Sequence, residues 1–194
     1  MTVAQLLAAL ASPDPTPGGG TAAAIAGAMG TSLLVMVTGL AKSRNNLDDE
    51  KAALAQARAA IEPITSRLTE LADADTHAFN DVMAAYRLPK ATDQDKAART
   101  RAIQAALRGA TEIPLETLRA CADALTHSRA VADYGNQSAA SDVGVAIGLL
   151  KAAAEGAAAN VRINLTGLKD EAFKGTTEAE TTRLLAAAAG QDPH

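Results

Sequence analysis

The stretch PTPGGGTAAAIAGAMGTSLLVMVTGLA, residues 15–41, carries no ionisable side chain from Gly18 to Ala41. Two prolines stiffen its start and three glycines then free the backbone. The alanine-rich run behind them predicts a helix over 22–41, with Thr21 as its cap. A helix without charge on any face is typical of the centre of a helical bundle. We therefore expect the other helices to pack around this one.

The glycine loop, Gly18 to Gly20, precedes the start of this helix. A helix N-terminus offers unpaired N–H groups and a partial positive charge. Glycines also let another molecule approach the backbone closely. The loop is therefore either a ligand-binding loop or a flexible lead into a buried helix, and the residues alone leave both interpretations open.

Composition favours an all-α fold in one domain that spans residues 1–194. Hydrophobic residues make up 48% of the chain, alanine dominates them, and aromatic residues contribute only 2%. Alanine favours helix, whereas strands need β-branched and aromatic runs. The formal net charge of −4 argues against a nucleic-acid partner. Without a CxxC or HExxH motif, no metal site is predicted.

The location of the protein is inferred from two features. Residues 21–41 are long enough to span a membrane, but alanine, glycine and threonine dominate their first half, so a buried helix is the better interpretation. The single Cys121 needs no oxidising compartment, and the chain start lacks the basic residues of a signal peptide. We expect a cytoplasmic protein that is not inserted in a membrane.

Apolar spacing predicts a bundle of about six helices, of which two are long and kinked. Pro63 should kink the third helix and Pro114 the fourth. A frayed tail should begin at Gly190. The predicted helices cover residues 2–11, 22–41, about 48–86, about 93–133, from 138 or 141 to about 168, and from 176 or 177 to about 190.

Small residues recur at helical spacing in the second and fifth helices. Such ridges let helix backbones approach closely, either within one subunit or across a symmetric interface between two copies. The first ridge is Ala23, Gly27 and Thr31, and the second is Gly144, Gly148, Ala152 and Gly156.

Asp75 interrupts the apolar stripe of the third helix, four residues after Leu71 and four before Phe79. A carboxylate on an inward face is costly unless it is paired. Burial of a carboxylate favours its protonated form and suits it to proton transfer. Asp75 is therefore a candidate catalytic residue, and the alternative is a structural aspartate held by a hydrogen bond.

The sequence resembles the cyclodeaminase/cyclohydrolase family, which includes the C-terminal part of formiminotransferase-cyclodeaminase and bacterial methenyltetrahydrofolate cyclohydrolases. Four stretches carry the resemblance: PTPGGGTAAAIAGAMG at 15–30, DTHAFNDVMAAYRLPK at 75–90, GNQSAASDVGVA at 135–146 and AAANVRINL at 157–165. The resemblance implies an all-helical homodimer that acts on the one-carbon unit of tetrahydrofolate without a metal or other cofactor.

The resemblance implies one of two reactions. A cyclohydrolase adds water to the methenyl carbon and opens the ring to formyltetrahydrofolate, whereas a cyclodeaminase closes the ring of a formimino group and releases ammonia. Either needs a proton-transfer group, for which Asp75 is the first candidate and Asp142 the second. Asp142 is alternatively an acid in the first turn of a helix. The chain has no formiminotransferase segment, which favours the cyclohydrolase, and a non-catalytic folate-binding module is a further alternative.

Folate ends in glutamate, so the resemblance also implies cations at the site. Lys42, Arg87 and Lys90 stand at helix ends near the matched stretches, although a cation in such a place is more often a solvated surface charge. Asn136 either bonds the pterin or shapes a turn. The chain has no Trp and only two Phe, so the flat backbone of the glycine loop is expected to contact the pterin.

Overall fold

Six α-helices and one short 3₁₀ helix make up the described part of the chain, residues 1–190 of a computed structural model. This part contains no β-strand, which confirms the predicted all-α bundle of about six helices. The predicted tail beyond Gly190 lies outside the described residues. The helices are α1 (Val3–Leu10), α2 (Gly19–Thr38), α3 (Asp48–Arg87), α4 (Asp93–Tyr134), the 3₁₀ helix Gln137–Ala139, α5 (Ala140–Leu165) and α6 (Glu171–Ala189).

Helix α2 lies at the centre of the bundle, as its uncharged sequence predicts. It packs against α3, α4 and α5, while α3 and α4 pack along each other. By length and composition α2 is also apolar enough to cross a membrane. Half of that apolar window is buried by the neighbouring helices, as expected for the core helix of a bundle.

The ridge on α2 brings backbones together inside the subunit. A Cβ added at Gly27 would lie 2.9 Å from the Sγ atom of Cys121, and one at Gly30 would lie 2.8 Å from the carbonyl oxygen of Ala146. Such distances leave no space for a side chain. On α5 only part of the ridge packs inside the subunit, because Gly144 and Gly148 face open space. This outward half is available to a second copy of the chain.

The core is aliphatic and contains the single cysteine. Cys121 is fully buried, and burial raises the pKa of its thiol to about 12. A thiol with this pKa is protonated at neutral pH and is a poor nucleophile. The largest fully buried side chains include Leu34, Ile61, Leu68, Leu71, Leu118, Leu125 and Leu150.

Two predicted helix starts are wrong. Helix α2 begins at Gly19 with Gly18 as its N-cap, so Thr21 belongs to the first turn and does not cap it. Glycine is also an acceptable N-cap, and the prediction of Thr21 as the cap therefore placed the helix start too late. Helix α6 begins at Glu171, where the Asp170 side chain accepts a 3.0 Å hydrogen bond from the Phe173 N–H. Apolar periodicity is weak there, so the cap is the better signal.

The two long helices continue through their prolines. Pro63 lies inside α3 and Pro114 inside α4. Proline has no N–H, so each leaves the carbonyl group four residues earlier without its helical donor. These carbonyls belong to Ala59 and Ala110. The second of them takes part in the site described next.

Candidate active site

A cavity of about 250 Å³ lies where four helices meet at one end of the bundle. The first turn of α2 forms one wall, and α3, α4 and α5 form the others. The glycine loop and Asp75, which are 55 to 57 residues apart in sequence, both line it. The lining residues are Pro15, Thr16, Gly18, Gly19, Gly20, Asp75, Ala78, Phe79, Val82, Leu107, Ala110, Asn160 and Asn164.

Asp75 lies where the apolar stripe of α3 leaves the core and reaches the cavity. Its carboxylate is half-buried and accepts a 2.9 Å hydrogen bond at Oδ2 from the hydroxyl of Thr21. That hydroxyl also lies 3.5 Å from the hydroxyl of Thr76. The hydrogen bond fixes one carboxylate oxygen and leaves the other beside the cavity. Asp75 therefore has the hydrogen bond expected of a structural aspartate and also the cavity expected of a reactive one.

Gly20 is required for the close approach between α2 and Asp75. A Cβ atom added at Gly20 would lie 2.6 Å from the Cγ atom of Asp75 and still closer to its Oδ1. No other side chain fits there without displacing the carboxylate. The carboxylate thus lies against the first turn of α2, where the helix dipole favours a negative charge. The glycine loop borders a cavity, as the ligand-binding interpretation requires.

Two asparagines on α5, Asn160 and Asn164, complete the polar part of the cavity. The Nδ2 atom of Asn160 donates to the carbonyl oxygen of Gly156 at 2.8 Å, and that of Asn164 donates to the carbonyl oxygen of Ala110 at 2.7 Å. A Cβ at Gly19 would lie 3.6 Å from the Nδ2 atom of Asn160. Asn160 therefore adjoins the glycine loop, one residue from the contact with Asp75.

The remaining wall is apolar. Phe79 and Val82 follow Asp75 along α3, and Leu107 faces them from α4. All three side chains are half-buried. This wall offers a flat ring and aliphatic groups to an aromatic ligand, beside the backbone of the glycine loop.

The structure separates the other predicted site residues from this cavity. Helices α2 and α5 are antiparallel, because Gly19 lies beside Asn160 whereas Gly30 lies beside Ala146. Asp142, in the first turn of α5, is therefore about 27 Å along the helix from Asn160. Lys42 follows the C-terminus of α2, and Asn136 caps the 3₁₀ helix that precedes α5. These three lie at the opposite end of the subunit.

Arg87 and Lys90 lie nearer to the cavity but do not line it. Arg87 is the last residue of α3, about 18 Å along the helix from Asp75, and Lys90 lies in the following loop. Both side chains are exposed. No side-chain cation lines the cavity among the described residues.

Sequence reasoning missed Thr21 as a partner of Asp75, and Phe79, Asn160 and Asn164 as cavity residues. Phe79 was assigned to the apolar stripe, which it continues into the cavity. The two asparagines lie in a stretch that carries the family resemblance, and their spacing of four residues places them on one helix face. Two amide side chains on one face of an otherwise alanine-rich segment could have indicated a polar site on this helix.

The cavity combines a carboxylate, two amides and an apolar wall. A carboxylate in such a place can move protons or stabilise a cation. Among residues 1–190 no group of three or more His, Cys, Asp or Glu side chains is arranged to hold a metal ion. The chemistry within reach of these side chains is proton transfer on a small molecule.

The described residues form an all-α protein in which a cavity with a carboxylate and two amides lies between the helices. The family model of formiminotransferase-cyclodeaminase matches residues 2–183. The chain therefore belongs to the formiminotransferase-cyclodeaminase family.

Known relatives carry two different names. A methenyltetrahydrofolate cyclohydrolase of Methylorubrum extorquens is 43% identical over 96% of this chain and 90% of its own length. The formimidoyltransferase-cyclodeaminase of Rattus norvegicus is 34% identical over 87% of this chain, which spans 31% of that protein. The crystal structure of formiminotetrahydrofolate cyclodeaminase from Thermotoga maritima superimposes with a TM-score of 0.87 at 28% identity, covering 98% of this chain and 91% of that one.

Proposed function

We propose that the protein is a methenyltetrahydrofolate cyclohydrolase, which hydrolyses methenyltetrahydrofolate to formyltetrahydrofolate in cytoplasmic one-carbon metabolism. The observation that carries this proposal is the Asp75 carboxylate, held by Thr21 against the glycine loop at the wall of a cavity. The 43% identical relative with the cyclohydrolase name supports the choice of reaction.

In the proposed reaction, Asp75 handles the protons. The substrate is cationic at the methenyl carbon, which lies between two nitrogens, so a carboxylate beside it is stabilising. Asp75 takes a proton from the attacking water as the C–O bond forms. It then gives a proton to the ring nitrogen as the C–N bond breaks, which leaves the formyl group on the other nitrogen. The remaining proton of the water is released, so atoms and charge balance.

The cavity holds the reacting end of the folate. At about 250 Å³ it is too small for the whole molecule, so the benzoyl-glutamate part would extend out of it. We assign the binding of a glutamate carboxylate to Arg87, at the end of α3, and to Lys90 in the following loop, both of which are exposed. Phe79 and the glycine backbone would contact the pterin. The proposed chemistry uses no metal or other cofactor.

The second candidate is formiminotetrahydrofolate cyclodeaminase activity. The similarity to the Thermotoga maritima cyclodeaminase over nearly the whole chain supports this second candidate. The same carboxylate would then protonate the leaving ammonia rather than activate water. A helical folate-binding module without activity is the third candidate, and in it the Asp75 carboxylate would bind the ligand without transferring a proton.

The deciding experiment mixes the purified protein with methenyltetrahydrofolate and follows the loss of its near-ultraviolet absorbance. Turnover by the wild type and not by Asp75→Asn supports the proposal. A parallel assay measures ammonia released from formiminotetrahydrofolate. Ammonia release without hydrolysis assigns the cyclodeaminase, and tetrahydrofolate binding without either reaction assigns the binding module.

A further inference from the structure

Pro114 makes a backbone carbonyl available at the wall of the cavity. In a regular helix the carbonyl of residue 110 accepts from the N–H of residue 114, but proline has none. The freed carbonyl oxygen of Ala110 accepts instead from the Nδ2 atom of Asn164 on α5, and the two atoms are 2.7 Å apart. A proline in α4 thus fixes an amide on another helix.

This bond settles which way the amide of Asn164 is turned. A backbone carbonyl only accepts hydrogen bonds, so the NH₂ group must face it and the oxygen must point away from it. The same logic applies to Asn160, whose Nδ2 atom donates to the carbonyl of Gly156. Each amide therefore commits one N–H to a carbonyl and turns its oxygen away from that carbonyl, and both residues line the cavity.

Both amide oxygens are available to a ligand. Among residues 1–190 no group donates a hydrogen bond to the Oδ1 atom of Asn160 or Asn164. No described side-chain oxygen or nitrogen is both buried and unpaired, so these oxygens remain accessible. With the Asp75 carboxylate, every charged or amide side chain at the cavity wall presents an acceptor. The complementary ligand carries N–H donors.

We propose that Asn164 is a specificity-determining residue whose amide oxygen accepts a hydrogen bond from an N–H group on the pterin ring of the substrate, and that Pro114 is a positioning residue that orients this amide through the Ala110 carbonyl. The inference rests on the proposed folate substrate. A reduced pterin carries an exocyclic amino group and ring N–H groups, which can donate to this oxygen.

Asn164→Ala tests the recognition. The ring hydrogen bond is the same before and during reaction, so its loss should raise KM about tenfold and leave kcat nearly unchanged. Titration calorimetry with tetrahydrofolate should show a tenfold higher Kd as well. A purely structural Asn164 would lower the melting temperature and leave KM and Kd at their wild-type values, which would overturn the inference.

Pro114→Val tests the positioning. Valine restores the N–H at residue 114 and keeps most of the buried volume, so the Ala110 carbonyl gains a helical donor that competes with Asn164. A carbonyl has two lone pairs, and we expect a smaller rise of about threefold in KM. Pro63→Val is the matched control, because Pro63 lies in α3 on an exposed site that does not line the cavity. An equal KM in both proline variants would overturn the role of Pro114.

Calorimetry separates failure of this inference from failure of the proposed function. Wild-type protein that binds tetrahydrofolate but hydrolyses nothing refutes the cyclohydrolase, while the Kd ratio of Asn164→Ala to wild type still decides the inference. Wild-type protein that binds no tetrahydrofolate refutes both.

Discussion

Asp75 has two environments at once, the packed stripe of α3 and the cavity. Asparagine has nearly the same shape and its amide oxygen still accepts from Thr21, but it exchanges no proton at neutral pH. We expect Asp75→Asn to fold normally and to lose about a hundredfold or more in turnover. Absorbance assays and melting curves on the same preparation check this.

Asp73→Asn is the matched control, because Asp73 lies on the same helix with an exposed side chain. It should keep wild-type turnover. If Asp75→Asn keeps its turnover but loses thermal stability, the residue is structural. Asp142, the second candidate from the sequence, could not replace it at this cavity, because it lies at the other end of the subunit.

Gly20 is the position at which the glycine loop tolerates no side chain. The added methyl group of Gly20→Ala would displace the Asp75 carboxylate. A displacement of about 1 Å is enough for a hundredfold loss of turnover, so we expect a loss of this order with an unchanged helical circular dichroism spectrum. Wild-type turnover in this variant would show that the carboxylate position is unimportant.

Gly175→Ala is the control for that substitution. A Cβ at Gly175 meets nothing within 4 Å, and the residue lies inside α6. Alanine in such a place should stabilise the protein by about 1 kcal/mol without changing turnover.

At the scale of elements, the connection between α2 and α3 is organised by one buried carboxylate. Glu50, in the first turn of α3, is 4% exposed and accepts from the Ser43 hydroxyl at 2.7 Å. It also accepts from the backbone N–H of Asn45 at 2.9 Å and from the Asn45 side chain. The hydrogen bond from Ser43 contributes most to lowering the pKa of Glu50 from 4.5 to about 2, and burial opposes the shift.

This pKa predicts how stability depends on pH. The folded state holds the proton less tightly than the unfolded chain, so the contribution of Glu50 is present above pH 4.5 and is lost as the pH falls toward 2. Glu50→Gln should therefore melt lower than wild type at pH 7, and the difference should shrink between pH 4.5 and pH 2. Asp48→Asn, an exposed acid in the same turn, should show a much smaller difference. A difference in melting temperature between wild type and Glu50→Gln that stays constant over this range would contradict the prediction.

At the scale of the molecule, the outward face of α2 and α5 is apolar and uncharged over much of its length. Met29 and Val145 are each 55% exposed, and Met36 is 44% exposed. An apolar groove of about 510 Å³ between α2 and α3 is lined by Met29 and Met36. Patches of this kind are rare on monomers. We propose that a second copy of the chain covers this face, against which Gly144 and Gly148 allow a close approach.

Sedimentation measures this homodimer directly. Wild-type protein should sediment as a dimer at micromolar concentration, and Met29→Glu should shift it toward the monomer, because a charge would be buried without a partner. Ala172→Glu adds the same charge at an exposed site on α6 and should leave the dimer intact. A wild-type monomer, or a dimer unaffected by Met29→Glu, would contradict the proposed face.

Sequence by itself determined the helices and the centre of the bundle. Periodicity marks the long helices, and the absence of charge from Gly18 to Ala41 marks the helix that the others surround. It also marked Asp75 and the glycine loop as unusual, because each departs from the local pattern. It misplaced two helix starts, where capping residues outweigh apolar spacing.

Only the tertiary structure decided which of the marked residues share a site. Periodicity assigns a side chain to a face of its own helix, but it does not say which helix lies opposite or in which direction that helix runs. The antiparallel packing of α2 and α5 brings Asn160 to the glycine loop and carries Asp142 to the far end. The Ala110 carbonyl meets Asn164 for the same reason, since their bond joins residues 54 positions apart.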